Sequence, residues 1–241
     1  MDKGVGFNRN IKRVWLDATA AFCAESNEAT AVRSRLEPII GLELGSPTNI
    51  RKTTDILLNI WYKSRDISPG LVDEAMQMFQ DTAVPSDRLW LHYGLTLLTY
   101  PFFYTVTGLI GQMGRYEEAF TAVQLKKQTM AELGQLGSLD AAVSRIIFSL
   151  RDWGILADGG GRHQYIPQVK QLATERTRLE TWLLACVLTA NTAESLPLVD
   201  LVRLPQLFPF HLTVGAGELR LRADLEIQRQ GSSLDMVRFV R

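Results

Sequence analysis

Apolar residues recur every three or four positions through the first 100 residues, which is the spacing of one buried face of an α-helix. Residues 10–25, for example, carry apolar side chains at Ile11, Val14, Trp15, Ala18, Phe22 and Cys23. Ser-Pro and Ser-Asp pairs at residues 46–47, 68–69 and 86–87 mark helix starts, because serine and aspartate cap helix N-termini and proline fits the first turn. This region is therefore predicted to be a multi-helix bundle.

The pattern changes in the middle of the chain, where helical periodicity gives way to short strand-like runs. A glycine-containing turn follows the second predicted helix, and a turn of one aspartate and three glycines, residues 158–161, joins the two predicted strands. The predicted elements, in order, are helices at residues 102–113, 119–133 and 138–152, and strands at residues 153–156 and 162–166.

The last third of the chain predicts a long helix over residues 169–192, followed by a stretch that three prolines interrupt. Two runs of alternating apolar and polar residues end the chain, one from Leu219 onwards and one over residues 236–241. Residues 230–233 between them have the composition of a hairpin turn. A C-terminal β-hairpin packed on the helices is therefore predicted.

The stretch SLDAAVSRIIFSLRDWGILADGGGRHQYIP, residues 138–167, carries a resemblance to a known fold family. Together with the two helices before it, this stretch resembles the winged helix-turn-helix superfamily. The resemblance implies that the third helix enters the DNA major groove, while the hairpin, or wing, lies on the backbone or minor groove. The expected fold is mainly α: a multi-helix bundle with a central winged helix-turn-helix and a C-terminal β-hairpin.

Three regions follow from this organisation. Residues 1–100 are expected to form a helical N-terminal region, and residues 101–168 the winged-helix module. Residues 169–241 are expected to contain the long helix, the proline-interrupted segment and the terminal hairpin.

The helix predicted at residues 138–152 has a buried stripe, namely Leu139, Val143, Ile146, Ile147 and Leu150. Its opposite face is small, polar and basic, which suits groove entry because arginine can bond guanine through two hydrogen bonds and serine can bond a base or a phosphate. The residues expected to face the groove of double-stranded DNA are Ser144, Arg145, Phe148 and Arg151. Those expected to contact the DNA backbone are Lys126, Lys127, Arg162 and His163.

Charge limits the strength of such binding. Lysine plus arginine and aspartate plus glutamate each number 26, so the formal net charge is zero, and the chain is not a protein that coats nucleic acid by charge alone. Between Thr121 and Lys170, six positive residues face four negative ones. Binding is therefore expected to be weak and salt-sensitive unless a homodimer or a protein partner adds contacts. An N-terminal arm could also add charge through Lys3, Arg9, Lys12 and Arg13, against Asp2.

A second resemblance covers more of the chain and is carried by the motif RIIFSLRDWGIL, residues 145–156. Placed between a helical N-terminal half and a helical tail, this motif resembles the small helical DNA-binding component of BREX phage-defence islands. The resemblance implies DNA binding as a subunit alongside larger defence proteins.

Two other classes of function remain open. The winged helix and the helical bundle could serve an adaptor that binds protein, since an exposed Phe148 suits a protein contact as well as a thymine methyl group. The other is an enzyme with an unrecognised carboxylate site. The first hypothesis is nevertheless a non-enzymatic protein without metal or cofactor, because the glycine run at residues 159–161 lacks phosphate-loop spacing and His92, His163 and His211 are widely scattered.

The 26 residues from 89 to 114 carry no formal charge, a length that could span a bilayer. Pro101 splits this segment, so two buried helices and no membrane insertion are predicted. Cys23 and Cys186 lie in apolar helical patterns, which favours two buried thiols in a reducing, cytoplasmic protein. The N-terminal residues 1–13 do not have the pattern of a signal peptide, and the five tryptophans are expected in the core.

Overall fold

The computed structural model describes residues 5–135, 137–230 and 234–240 of the 241-residue chain. Six helices come first: α1 (Arg13–Glu25), α2 (Ala29–Gly41), α3 (Pro47–Trp61), α4 (Pro69–Asp81), α5 (Pro85–Thr99) and α6 (Pro101–Met113). The last four begin on a proline, which has no N–H to leave unpaired in the first turn. The helix starts predicted at residues 46–47 and 68–69 are confirmed, and α5 begins one residue before the predicted Ser-Asp pair.

The central part of the chain alternates helices with short strands: β1 (Phe120–Thr121), α7 (Ala122–Leu133), α8 (Leu139–Asp152), β2 (Leu156–Asp158) and β3 (Gln164–Pro167). The last part contains α9 (Thr177–Ala190), β4 (Leu196–Pro197), α10 (Leu198–Leu201), α11 (Ala216–Leu219), β5 (Leu225–Gln230) and β6 (Leu234–Phe239). Single 3₁₀ turns occur at Lys63–Asp66 and Pro205–Leu207.

Two small antiparallel sheets accompany the helices. In the first, β3 lies in the middle, pairing with β1 through Phe120 and Tyr165 and with β2 through Leu156 and Pro167. In the second, β6 lies between β4 and β5. The chain is thus mainly helical with two small antiparallel sheets, and its last two strands pair as a terminal hairpin.

Helices α5 and α9 pack side by side at the centre of the molecule and are buried over most of their length. Gly94 permits this close approach, because a Cβ atom there would lie 2.5 Å from the ring of Trp182. The predicted core positions of the five tryptophans are confirmed, since none is more than 2% exposed. Buried residues from the whole length of the chain join one continuous core around these helices.

The uncharged stretch from residue 89 to 114 forms the buried part of α5 and the helix α6, divided at Pro101 as predicted. In the part of the chain that the structure describes, no helix has both the length and the apolar character needed to cross a bilayer. Cys23 and Cys186 are buried and unpaired, as predicted. Burial raises the pKa of the Cys23 thiol to about 12.

Two element boundaries differ from those predicted in the last third. Helix α9 begins at Thr177 rather than near residue 169, because the backbone before it bonds to another segment: Lys170 N–H donates to the Phe208 carbonyl (2.8 Å) and Leu172 N–H to that of Pro209 (2.9 Å). The first hairpin strand begins at Leu225 rather than Leu219, which lies buried in the short helix α11. Residues 231–233 of the predicted turn lie outside the described residues.

A buried carboxylate anchors the segment that precedes α11. Glu180 of α9 is 1% exposed. It accepts hydrogen bonds from the N–H (2.6 Å) and Oγ1 (2.9 Å) of Thr213 and from the N–H of Val214 (3.0 Å). Because its oxygens are already satisfied by three donors, Glu180 is a structural anchor for this loop.

A buried histidine joins three of the N-terminal helices. Trp61 Nε1–H of α3 donates to Nδ1 of His92 (3.1 Å), and His92 Nε2 lies 3.1 Å from Oδ1 of Asp17 in α1. The indole can only donate, so Nδ1 carries no proton and the Nε2–H bonds the carboxylate. Burial lowers the pKa of His92 despite the opposing effect of Asp17. Burial raises the pKa of Asp17, but the hydrogen bond from His92 and the positive charge of Arg88 outweigh it, so this pKa is lowered.

We expect the folded state to lose stability as the pH falls below neutrality. The unfolded chain protonates His92 near pH 6.5 and the folded chain only at a lower pH, because burial lowers the pKa of His92. His92 therefore contributes stability fully above about pH 6.5 and progressively less below it. The free energy of unfolding, measured by urea denaturation, should therefore be lower at pH 5.0 than at pH 7.5. His92→Gln, whose amide can accept from Trp61 and donate to Asp17, should flatten this slope. An unchanged slope in that variant would contradict the assignment.

The contact between α6 and the turn at Pro205–Leu207 depends on a glycine. A Cβ atom at Gly111 would lie 1.9 Å from the carbonyl oxygen of Pro205, a backbone atom that a rotamer change cannot move. The two segments consequently pack backbone against backbone.

Gly111→Ala should destabilise the protein by about 1–3 kcal/mol, because the backbone must shift to admit the methyl group. Gly70→Ala is the matched control, since Gly70 also lies in a helix but has no neighbour within 4 Å of the added atom. The control should be neutral or slightly stabilising, given the helix preference of alanine. Thermal denaturation followed by circular dichroism measures both, and equal melting temperatures would disprove the close contact.

Candidate functional site

Helix α8 holds the predicted exposed face clear of the core. The predicted buried stripe is buried, together with Ala142 and Ser149. On the other side, Ser144, Arg145 and Arg151 are exposed, whereas Phe148 is half-buried and not exposed as predicted. Leu139–Asp152 therefore presents the combination of small, polar and basic side chains that the sequence predicts at its surface.

The residues after α8 form a two-stranded ribbon, with one correction to its start. The predicted strand at residues 153–156 begins only at Leu156. Trp153 instead ends the helix and is 2% exposed, and Gly154 then turns the chain with a φ of 75°. A positive φ is accessible to glycine without steric cost, which explains this residue at the turn into the ribbon.

The tip of the ribbon, residues 159–163, is closed by Gln164. The Gly159 N–H donates to the Gln164 carbonyl (2.8 Å), and the Gly161 N–H donates to the Gln164 side-chain oxygen (2.9 Å). Arg162 and His163 lie exposed at this tip. His163 adopts a φ of 55°, a left-handed conformation that histidine takes more often than most non-glycine residues do.

A third strand, absent from the sequence-based prediction, attaches the ribbon to α7. Phe120 and Thr121 are predicted in a helix that starts at residue 119, but they form β1 and pair with β3. The Thr121 hydroxyl then caps α7 by accepting from Gln124 N–H (3.2 Å), while the Gln124 side chain accepts from Thr121 N–H (2.7 Å). A threonine followed by a glutamine three residues later is the capping-box signal that could have placed this helix start.

The exposed face of α8 is bordered on one side by the ribbon. Arg151 Nη2 donates to the Asp158 carboxylate at the end of β2 (2.5 Å), and its guanidinium lies 5.7 Å from the ring centre of Tyr165. Arg151 thus links the helix to the ribbon, and its charge is offset locally by Asp158.

The N-terminal segment, residues 7–13, borders the other side of α8. Ile11 N–H donates to Ser149 Oγ (2.9 Å), Arg13 N–H to Asp152 Oδ1 (2.6 Å), and the Trp153 indole N–H to the Ile11 carbonyl (2.9 Å). At the solvent side, Arg145 Nη1 reaches Asn10 Oδ1 (3.3 Å). Sequence reasoning did not identify these contacts, which join positions more than 130 residues apart.

Several of the candidate cations lack an acidic neighbour. Among the described residues of 101–168, which exclude Leu136, the structure contains one ion pair, Arg151 with Asp158. Over the described residues, no carboxylate lies within 4.0 Å of the charged atoms of Lys126, Lys127, Arg145 or Arg162. In the N-terminal arm, Lys12 pairs with Glu43, and Asp2 and Lys3 lie outside the described residues.

The predicted site residues therefore fall into two groups. The residues of α8 and the ribbon tip belong to one continuous stretch of structure, in which Arg151 and Asp158 join helix and ribbon. Lys126 is half-buried and Lys127 exposed on α7, and no hydrogen bond or ion pair among the described residues connects them to Arg145 or to the ribbon tip.

Within the described part of the chain, no three His, Cys, Asp or Glu side chains lie close enough to hold a metal ion.

The chain matches no family model, no curated protein sequence and no solved structure. The assignment of a function consequently depends on the geometry of α8, the ribbon and the N-terminal segment.

Two serines of α8 provide a test of how the N-terminal segment is held. Both donate to a carbonyl one turn earlier, but Ser149 Oγ also accepts the buried Ile11 N–H, whereas Ser144 is exposed. Ser149→Ala should cost about 1–3 kcal/mol, because it leaves a buried N–H without a partner. Ser144→Ala should change stability by less than about 0.5 kcal/mol. Urea denaturation of both variants measures the difference, and equal values would contradict the docking of this segment.

Proposed function

We propose that the protein binds duplex DNA through residues 101–168 and acts without catalysis, as a regulator or as a subunit of a DNA-processing or phage-defence assembly. The order α6, β1, α7, α8, β2, β3, with β3 between β1 and β2, supports a winged helix-turn-helix module in which α8 is the recognition helix. The observation that carries the proposal is the exposed Ser144 and Arg145 face of α8, bordered by the ribbon and the N-terminal segment.

The dimensions of α8 suit a major groove. Its 14 residues give a length of about 21 Å, and an α-helix fits the width of about 12 Å. Arg145 would bond a guanine edge or a phosphate, Ser144 a base or phosphate, and Phe148 the methyl group of thymine. Arg162 and His163 at the ribbon tip would contact the DNA backbone.

In this proposal, Arg151 has a mainly structural role, whereas the sequence predicts that it faces the DNA groove. Because its guanidinium already bonds Asp158, its first contribution would be to fix the angle between α8 and the ribbon, with DNA contact secondary. The cations with no acidic partner among the described residues, namely Lys126, Lys127, Arg145 and Arg162, would provide the electrostatic attraction. With so few charges, a single copy would bind weakly and release readily as salt rises.

Fluorescence anisotropy of a labelled 30-base-pair duplex at 50 mM salt tests the proposal. Arg145→Ala should weaken binding by about 1–3 kcal/mol if Arg145 bonds a base. Lys126→Ala with Lys127→Ala should lower the slope of log K against log salt by up to about 2, since each phosphate contact contributes about 0.9.

The matched control removes two neighbouring charges elsewhere: Arg51→Ala with Lys52→Ala, both exposed on α3. This variant should bind DNA as the wild type does. Absence of binding at 50 mM salt, or equal binding by all variants, would overturn the DNA-binding proposal.

A second candidate function is an adaptor that binds protein through the same module. The observation favouring it is apolar exposure: Val123 of α7 is 74% exposed and Ile166 of β3 is 36% exposed, and Phe148 is half-buried on α8. An adaptor of this kind should have no affinity for the duplex at any salt concentration. The anisotropy titration therefore distinguishes DNA binding from protein binding.

A further inference from the structure

A cavity of about 370 Å³ lies beyond the end of α6, where the residues after β3 meet the segment around the Pro205–Leu207 turn. Its lining is mostly apolar and includes Leu204, Phe208 and Phe210. The backbones of Gly111 and Pro205 are in direct contact. The relative position of the two cavity walls that contain them therefore does not depend on side-chain rotamers. The cavity is therefore a preformed feature of the fold.

Three cations from three separate segments line this cavity, and none of the described residues that line it is acidic. They are Arg115 after α6, Lys170 after β3 and Arg203 after α10. All three are exposed, and none forms an ion pair over the described residues. Arg115 donates a hydrogen bond to the Arg203 carbonyl, which holds its guanidinium beside the opening. Unbalanced positive charge at one cavity stands out in a chain whose formal net charge is zero.

Lys170 is also held in an unusual backbone conformation. Its φ is 53°, in the left-handed region that a lysine rarely adopts. The hydrogen bonds of Lys170 N–H to Phe208 and of Leu172 N–H to Pro209 maintain this conformation. Such local strain is typical of binding sites, where the surrounding structure places a side chain for a purpose other than stability.

We propose that this cavity binds a small organic anion: a phosphate or carboxylate group on an apolar body. The volume falls in the range of small-molecule sites, about 300–1,000 Å³. The apolar part of the lining would take the body of the ligand, and the three cations at the opening would take the anionic group through charge-assisted hydrogen bonds. The site is separate from the exposed face of α8, so it does not depend on DNA binding.

Titrations with phenyl phosphate and with benzoate, followed by amide ¹H–¹⁵N NMR spectra, test the proposal and distinguish the two anionic groups. The amides of Arg115, Lys170 and Arg203 should shift saturably with at least one of the two probes. Phenol, which lacks the charge, and inorganic phosphate, which lacks the apolar body, should each bind at least tenfold more weakly. Equal binding of phenol, or no saturable shift with either probe, would overturn the proposal.

Lys170→Asn removes the charge and keeps a residue that tolerates a left-handed conformation. It should weaken binding of the better probe at least fivefold. Arg203→Gln should have the same effect and replaces Lys170→Asn in the test if that variant does not fold. Lys52→Asn, an exposed lysine on α3, should leave affinity unchanged. Unchanged affinity in the folded cavity variants would contradict the site. A duplex that shifts the same amides and displaces the probe would also overturn it, and would assign the cations to DNA backbone binding.

Discussion

The burial of one tryptophan fixes the relative positions of three parts of the candidate site. Trp153 ends α8, packs against Phe103 with 5.8 Å between ring centres, and donates its indole N–H to the carbonyl of Ile11. A buried indole N–H without an acceptor would cost about 1–3 kcal/mol, so the N-terminal segment must lie where Ile11 can accept it. Gly154 then turns the chain into the ribbon. Helix, ribbon and N-terminal segment consequently meet around this side chain.

The distribution of ion pairs shows which cations lack an acidic partner, and the net charge of the chain does not. In the described parts of the chain, most arginines outside residues 101–168 have acidic partners, such as Arg33 with Asp55 and Arg222 with Glu74. The cations of the central module are mostly unpaired, and so are those around the apolar cavity. A chain with zero net charge can thus present local positive surfaces where cations without an acidic partner among the described residues lie close together. The cations of α7, α8 and the ribbon tip support the DNA proposal, and those that line the cavity support the small-anion proposal.

Local sequence patterns predicted α8 well and its surroundings poorly. The buried stripe of α8 and the glycine-rich turn are local signals, so both could be placed from the sequence. Strand β1 has only two residues and forms because β3 lies beside it. The hydrophobic periodicity of the sequence does not indicate such a short strand. The docking of Ile11 on Ser149 joins residues 138 positions apart, and the start of α9 is set by backbone bonds to Phe208 and Pro209. These features depend on tertiary contacts, which a single sequence does not display.

The most direct test of the central claim is a map of the amides that duplex DNA perturbs, obtained from ¹H–¹⁵N spectra of the labelled protein at low salt. If α8 is the recognition helix, the amides of Ser144, Arg145 and Phe148, of the ribbon tip and of residues 8–13 should shift, while those of the buried helix α9 should not. Shifts confined to other surfaces, or none at a tenfold excess of duplex, would contradict it.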